Sequence, residues 1–263
     1  MENTKQNYRI AMGVEYDGSP YVGWQSQREG ETVQQNVERA LSKVANQPIN
    51  IFCAGRTDTG VHANEQVIHF ETTAYRDVRS WVMGSNTNLP RSISILWASP
   101  VPETFHARFS AIKRAYRYTI LNRSVRPAIL NNYVSFVHRS LDETRMQQAA
   151  QHLIGTHDFT SYRAVACQAK SPVRTLYKLD VSRAGEFVYL DLLADGFLHH
   201  MVRNIAGVLI KIGSGEAEID WSKQVLEHRD RRLGGVTAAP KGLSLMQITY
   251  PDEFALPSIY TPP

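Results

Sequence analysis

The sequence predicts an α+β fold in which two halves share a largely antiparallel sheet with a central cleft. Three observations favour this class. The chain has 263 residues, of which 43% are hydrophobic, so it can bury a substantial core. Short strand-like runs alternate with longer runs whose apolar residues recur at helical spacing. No low-complexity linker interrupts the chain, so we expect the halves, residues 1–104 and 105–263, to share a core.

The first half, residues 1–104, has the predicted order β-α-β-β-α-β, which is typical of an antiparallel sheet with both helices on one face. The first helix, "TVQQNVERALSKVA", begins with Thr32 and Gln35 at the spacing of a capping box. Strands are predicted in "RIAMGVEYDG", "INIFCAG", "EQVIHFET" and "SISILWASP", and the second helix in "RDVRSWVMGSNTNL".

The second half, residues 105–263, repeats this alternation with additions. A strand in "SAIKRAYRYTIL" precedes the helix "LDETRMQQAAQHLIG", which we expect to end at Gly155. The run "TLYKLDVSRAGEFVYLDLLA" predicts two strands with a turn at Gly185. A helix beginning near Leu198 in "FLHHMVRNIAGVLIKIGSG", another in "DWSKQVLEHRDR" and a last strand in "GLSLMQITY" complete the half.

Composition excludes several classes of protein. No apolar run approaches the roughly 18 residues that a membrane span needs. The segment "MENTKQNYRI" lacks the apolar core of a signal peptide, so we expect a cytoplasmic protein without a membrane partner. Cys53 and Cys167 lie far apart without CxxC spacing, which predicts two reduced thiols rather than a disulfide or a zinc site. The histidines show no H-x-x-x-H spacing either, so we predict no metal.

The net charge of +4 is unevenly distributed. Residues 1–104 carry 9 Lys/Arg against 11 Asp/Glu, whereas residues 105–263 carry 20 against 14. The span from Thr104 to Leu141, called the basic strip here, contains no acid, and its cations are Arg108, Lys113, Arg114, Arg117, Arg123, Arg126 and Arg139. Aromatic and histidine rings are interleaved with them. This pattern suits a nucleic acid with unpaired bases, and it suits a solvated strand face equally well.

A small polar loop holds the most distinctive carboxylate. In "CAGRTDTGVHA" Gly55 and Gly60 bracket the segment that contains Asp58, directly after a predicted strand. Such a loop can bring its backbone close to a substrate and hold a carboxylate at the rim of a sheet. An aspartate beside glycines is more often a turn former, so the residues alone leave both interpretations open.

Several short motifs, in order along the chain, resemble the TruA family of tRNA pseudouridine synthases. They are "YDGSPYVGWQ", "TVQQ", "GRTDTGVHA", "QVIHF", "FHARFSA", "RAYRYTI", "GTHDFTSYRA", "FLHHMVRNIAG" and "GLSLMQITYP", and they extend from about Arg9 to Pro251. The resemblance implies a pseudouridine synthase fold with two ferredoxin-like halves. It also implies a homodimeric isomerase without a cofactor, which converts uridine to pseudouridine at positions 38, 39 and 40 in the anticodon arm of its tRNA partner. Thr59 departs from the alanine common in the family, a small change beside an intact Asp58.

The resemblance implies three catalytic residues. Asp58 corresponds to the family's catalytic aspartate, and a carboxylate suits the positive charge that develops at a sugar carbon. Tyr116 is placed against the uracil as a substrate-binding group that can move a proton, although spacing alone suggests a packing tyrosine. Arg203 is expected to pair with Asp58, although its place beside the apolar helix stripe is typical of a solvated arginine.

RNA contacts are implied for two further segments. A uridine in a stem must be flipped out of the stack before an enzyme can reach its glycosidic bond. The resemblance implies that Arg56 promotes this flipping. The motif "FHARF" corresponds to the tRNA-contacting stretch of the family, and it comprises Phe105, His106, Ala107, Arg108 and Phe109. This motif coincides with the start of the basic strip.

Two other functions deserve comparison. An RNA-binding module without chemistry explains the basic strip but not the Asp58 loop. A glycoside hydrolase explains one carboxylate, yet it normally needs a second, and no matching acidic motif is present. An assay for new pseudouridine in a tRNA transcript separates all three functions.

Overall fold

A computed structural model describes residues 6–257 of the protein, which form two compact units. The first unit comprises Met1–Ile112 with Leu245–Pro263, as far as these are described, and the second comprises Lys113–Ser244. Residues 105–112, which the sequence pattern groups with the second half, therefore belong to the first unit. The physical reason is that Phe105 packs against Tyr250, and Ile112 N–H donates to the carbonyl of Thr249.

The described residues form ten strands and five α-helices. The strands are β1 (Tyr8–Tyr16), β2 (Phe52–Cys53), β3 (His62–Thr72), β4 (Ile93–Pro100), β5 (Lys113–Asn122), β6 (Ser135–Val137), β7 (Gly155–Asp158), β8 (Val173–Ala184), β9 (Phe187–Ala194) and β10 (Leu243–Thr249). The helices are α1 (Val33–Ala45), α2 (Val78–Asn88), α3 (Glu143–Gln151), α4 (Met201–Gly213) and α5 (Trp221–His228). Antiparallel pairs predominate, which confirms the predicted α+β class with a mostly antiparallel sheet.

In the first unit β1 lies between β3 and β4, and β2 and β10 lie beside β3. Gly13 of β1 stands opposite Trp97 of β4, where a side chain would meet the indole ring. Helix α1 packs against α2. It begins as predicted, because Thr32 Oγ1 accepts from Gln35 N–H at 3.3 Å while Gln35 Oε1 accepts from Thr32 N–H at 3.2 Å.

In the second unit β9 lies between β5 and β8, and β7 extends the sheet beyond β8. The predicted hairpin is confirmed, because β8 and β9 pair across a turn in which Gly185 has a φ of 59°. The short strand β6 runs parallel to β5. Helix α3 packs on β8 and on α4, whose apolar face supplies much of the core of this unit.

Two predicted helix boundaries were wrong. Helix α3 ends at Gln151, and Gly155, with a φ of 108°, instead begins β7. Helix α4 begins at Met201 rather than near Leu198, because His200 has a left-handed backbone with a φ of 62° that interrupts the helical run. Among the described residues, no helix combines the length and the apolar character that a membrane span requires.

Candidate active site

Asp58 lies in the loop between β2 and β3 of the first unit. The turn is closed by Val61 N–H, which donates to the backbone carbonyl of Asp58 at 3.1 Å. Gly60 follows with a φ of 77°, in the region that favours glycine. The Asp58 side chain is half-buried, and Arg56, two residues earlier, is exposed. A backbone hydrogen bond therefore closes the turn that begins at Asp58.

Thr57 anchors the same loop from behind. Its side chain is buried with its hydroxyl 2.8 Å from that of Tyr16, and its carbonyl accepts from Trp24 N–H at 3.1 Å. Gly23 passes so close, with a φ of 98°, that a Cβ there would lie 2.9 Å from the Thr57 carbonyl oxygen. The motif "YDGSPYVGWQ" did not predict these supporting contacts, although a glycine directly before a tryptophan is a signal of close backbone approach.

A second contact holds the end of the loop where β3 begins. A Cβ at Gly18 would lie 2.0 Å from the carbonyl oxygen of Val61, so only glycine fits there. The N–H of Gly18 donates to Nδ1 of the buried His62 at 3.1 Å. These contacts and those of Thr57 hold the loop backbone on both sides of Asp58, as a catalytic position at the rim of a sheet requires.

The thiol nearest the loop is poorly suited to be a nucleophile. Burial raises the pKa of Cys53 to about 11, although the positive charges of Arg56 and Arg108 act in the opposite direction. A thiol with that pKa is protonated at neutral pH, and only the thiolate is nucleophilic. Cys53 and Cys167 are both free cysteines. Asp58 is therefore the better candidate for attack in this loop.

Tyr116 lies on β5 of the second unit, opposite Leu192 of β9. Its half-buried ring packs edge-to-face against Phe197, with centroids 5.1 Å apart. Tyr118, on the same face of the strand, is fully buried and donates its hydroxyl to the carbonyl of Ala239 at 2.8 Å. The two tyrosines thus differ in role, because Tyr118 belongs to the core whereas Tyr116 keeps partial access to solvent.

Arg203 is not the solvated arginine that its helical position suggests. It is half-buried on α4, and its Nε donates to the carbonyl of Ala238 at 2.8 Å. The N–H of Ala238 returns a bond of 3.1 Å to the carbonyl of Arg203. Because Tyr118 binds the adjacent Ala239, the segment 236–239 links the Tyr116 strand to the Arg203 helix within this unit.

A buried polar network holds that segment in place. Asn204, buried on α4, donates to the carbonyl of Tyr162 at 2.7 Å and accepts from Thr237 Oγ1 at 2.7 Å. Arg231 donates to both Asn204 and Thr237, at 3.0 and 2.9 Å. A Cβ at Gly207 would lie 1.9 Å from the Val236 carbonyl oxygen. Sequence reasoning missed this network, and an asparagine within the apolar stripe of α4 was its signal.

The five residues of the "FHARF" motif divide by exposure. Phe105 and Ala107 are fully buried, so their side chains belong to the core of the first unit. Tyr250 donates its hydroxyl to the carbonyl of Ala107 at 2.6 Å. His106 is half-buried, Arg108 is exposed and Phe109 is 76% exposed. Only these last three side chains can touch a ligand directly.

Acids from elsewhere in the chain partly neutralise the basic strip. Arg117 forms a bidentate pair with Asp191 of the neighbouring strand, at 2.7 and 2.9 Å. Arg123 pairs with Glu186 at 3.2 Å, and Arg139 pairs with Glu216. The strip is therefore less positive than the absence of acids between residues 104 and 141 indicates, because the fold brings to it carboxylates that are distant in sequence.

A sequence profile of the family described as tRNA pseudouridine synthase matches residues 12–110 and 149–251. This chain belongs to the tRNA pseudouridine synthase family. The matched segments contain Asp58 and Arg203, and Tyr116 lies between them. The family membership confirms the resemblance that the ordered motifs indicate.

Individual members of the tRNA pseudouridine synthase family are similar over almost the whole chain. The tRNA pseudouridine synthase A of Pseudomonas aeruginosa is 57% identical over 256 residues, which cover 97% of this chain and 90% of the relative. That of Nitrosococcus oceani is 55% identical, with 97% and 98% covered. A chain in the crystal structure of a Cbf5-Nop10-Gar1 complex is 12% identical over 76% of this chain and 45% of that one, with a TM-score of 0.36, too weak a likeness to support an argument.

Proposed function

We propose that this protein isomerises uridine to pseudouridine at positions 38, 39 and 40 in the anticodon stem-loop of tRNA. The observation that carries the proposal is the family match, which includes the Asp58 loop and the Arg203 helix. The loop geometry adds support, since contacts of Thr57, Gly23 and Gly18 hold the backbone on either side of Asp58. A binding module without chemistry has no need of this carboxylate.

The reaction defines what the side chains must do. The glycosidic C–N bond breaks, the freed uracil turns, and a new bond joins the ribose carbon to a carbon of the ring. The ring carbon loses a proton and the ring nitrogen gains one, so atoms balance without an electron carrier. The site must therefore respond to positive charge at the sugar, move one proton and exclude water.

We assign the roles as the family implies them. Asp58 acts at the ribose carbon, either by direct attack or by assisting elimination to a glycal. Tyr116, whose ring keeps partial access to solvent, packs against the uracil and exchanges a proton with it. Arg203 pairs with Asp58, and the bond from its Nε to Ala238 restricts its side chain. Arg56 replaces the uridine in the stem after it has been turned out.

Replacement of the carboxylate tests the assignment of Asp58. Asp58→Asn keeps the shape and removes the charge, so single-turnover pseudouridine formation should become undetectable. Affinity for tRNA should stay within about tenfold, or roughly 1.4 kcal/mol. Asp77→Asn is the matched control, because Asp77 caps α2 through Ser80 N–H and asparagine caps equally well. A folded Asp58→Asn protein that retains a tenth of the parent rate would remove Asp58 from the mechanism.

The flipping role of Arg56 has its own test. Arg56→Ala should slow turnover on an intact stem-loop more than on one whose target uridine is already mispaired, because the second substrate needs less unstacking. Equal losses on both substrates would assign Arg56 to the chemical step instead.

The assembly and location proposed here come from the family. We propose a homodimer in the cytoplasm, with tRNA as the partner. Light scattering should then give about twice the chain mass of 29.7 kDa. A monomeric mass at micromolar concentration would contradict the dimer.

A further inference from the structure

Two phenylalanine rings of the first unit are largely exposed near the Asp58 loop. Phe52 is 54% exposed on β2, six residues before Asp58, and Phe109 is 76% exposed at the end of the "FHARF" motif. Single exposed apolar side chains are ordinary, but contiguous ones indicate a binding surface. Whether these two rings belong to one surface depends on what lies between them.

His106 connects the two rings. Its centroid lies 5.5 Å from that of Phe52 and 4.4 Å from that of Phe109, so the three rings form a continuous row. His69 supports the row from the core, since its buried ring stacks on Phe52 at 5.1 Å and an interplanar angle of 20°. These separations are those of favourable aromatic contacts. The row is therefore one surface.

Backbone hydrogen bonds hold the row rigidly. Nδ1 of His106 accepts from the N–H groups of Arg108 and Phe109, at 3.1 and 3.3 Å. Nδ1 of His69 accepts from Ala107 N–H at 3.1 Å. An imidazole nitrogen that accepts a hydrogen bond carries no proton, and burial also lowers the pKa of both histidines. The row consequently presents uncharged, preorganised ring surface.

Two cations lie near this neutral surface. The guanidinium of Arg108 is 5.7 Å from the Phe109 centroid, and Arg56 and Arg108 are both close enough to Cys53, the neighbour of Phe52, to affect its thiol. A ligand that combines an uncharged flat ring with a nearby anion matches this arrangement. An unpaired nucleotide has both parts, because its base stacks on rings while its phosphate meets arginine.

We propose that Phe52, His106 and Phe109 form a stacking platform for one unpaired base of the tRNA substrate, close to the uridine that is turned out beside Arg56. This proposal rests on the proposed function and adds a residue, Phe52, and a mode of contact. Phe52 lies outside the motif implicated by the family resemblance, and it reaches the platform because β2 pairs with β3 opposite His69.

Stem-loop binding by ring variants tests the platform. Loss of one base–aromatic stack costs about 1–3 kcal/mol, so Phe52→Ala should weaken binding of an anticodon stem-loop by about 5- to 150-fold. Phe52→Trp should retain most of the affinity, because any large flat ring can stack. Tyr75→Ala is the matched control, since Tyr75 is a 72% exposed ring of the same unit that packs on Tyr8 instead.

A set of stem-loops, each with one loop base removed, separates stacking from structural damage. At one abasic position the effect of Phe52→Ala should disappear, because the partner of the ring is already missing. An undiminished effect at every position, or unchanged binding of the intact stem-loop, would overturn the platform. Pseudouridine formation by the parent protein tests the proposed function separately, since its absence together with Phe52-dependent binding would refute the activity alone.

Discussion

Acid should destabilise the first unit through His69. The ring is buried among Phe52, Phe105 and His106, and its Nδ1 accepts from Ala107 N–H. Burial chiefly lowers the pKa of His69 to about 4, the neighbouring His106 and Arg9 lower it further, and Glu71 opposes them. Protonation would place a second N–H against that of Ala107, so the folded state resists it.

The size and sign of the effect follow from linkage. Above pH 6.5, the ordinary pKa of histidine, His69 is neutral in both the folded and the unfolded chain, and it contributes no pH dependence. Between pH 6.5 and about 4 only the unfolded chain binds the proton, so the free energy of unfolding falls as the pH falls. Through this group the free energy of unfolding falls by about 3 kcal/mol in total, at about 1.4 kcal/mol per pH unit.

Urea unfolding at several pH values measures this loss. We compare the parent with His69→Gln, which keeps an acceptor for Ala107 N–H but cannot titrate. Carboxylates distant from position 69 contribute equally to both proteins, so the difference between their pH slopes reports on His69 together with its coupling to Glu71. The parent should lose up to about 3 kcal/mol more than the variant between pH 6.5 and 4. Parallel slopes would refute the argument that His69 is held neutral by the fold.

Three further outcomes are expected. Thr32→Ala removes the capping box of α1 and should lower the free energy of unfolding by about 1 kcal/mol in a urea titration, and an unchanged midpoint would contradict this. Gly23→Ala should lower the free energy of unfolding by about 1–3 kcal/mol and slow pseudouridine formation, because the added Cβ meets the Thr57 carbonyl oxygen. Stability and rate equal to those of the parent would contradict this prediction. Arg126→Gln should reduce the slope of log tRNA affinity against log salt concentration by about 0.7–0.9. Arg117→Gln should leave the slope unchanged, because the guanidinium of Arg117 is already paired with Asp191. Equal reductions by both variants would show that the Arg117–Asp191 pair opens when tRNA binds.

Local sequence was enough to place most of the elements. The Thr32 capping box starts α1, and Gly185 turns the β8–β9 hairpin, because both depend on residues only a few positions apart. The Asp58 loop was found for the same reason, since two glycines next to a strand are a local signal. Helical spacing likewise predicted the apolar stripe of α4.

Local sequence patterns gave wrong predictions where the structure depends on a contact with a residue distant in sequence. Strand β7 exists because residues from Gly155 pair with β8 about twenty residues later, so Gly155 begins a strand rather than ending a helix. Arg203 resembled a solvated arginine until the segment containing Ala238 was seen to bind it. The basic strip likewise lost part of its apparent charge to Asp191, a residue of the adjacent strand.

The "FHARF" motif shows the division most directly. Its residue order identified a family and predicted an RNA contact, yet Phe105 is fully buried while Phe109 is 76% exposed. The two rings differ because Phe105 packs against Tyr250 and Phe254, which the chain reaches only after more than a hundred further residues. A side chain is buried when other residues cover it, and the residues that cover Phe105 come from a distant part of the sequence. Chemistry can therefore be read from the motif, whereas access to solvent is decided by the tertiary structure alone.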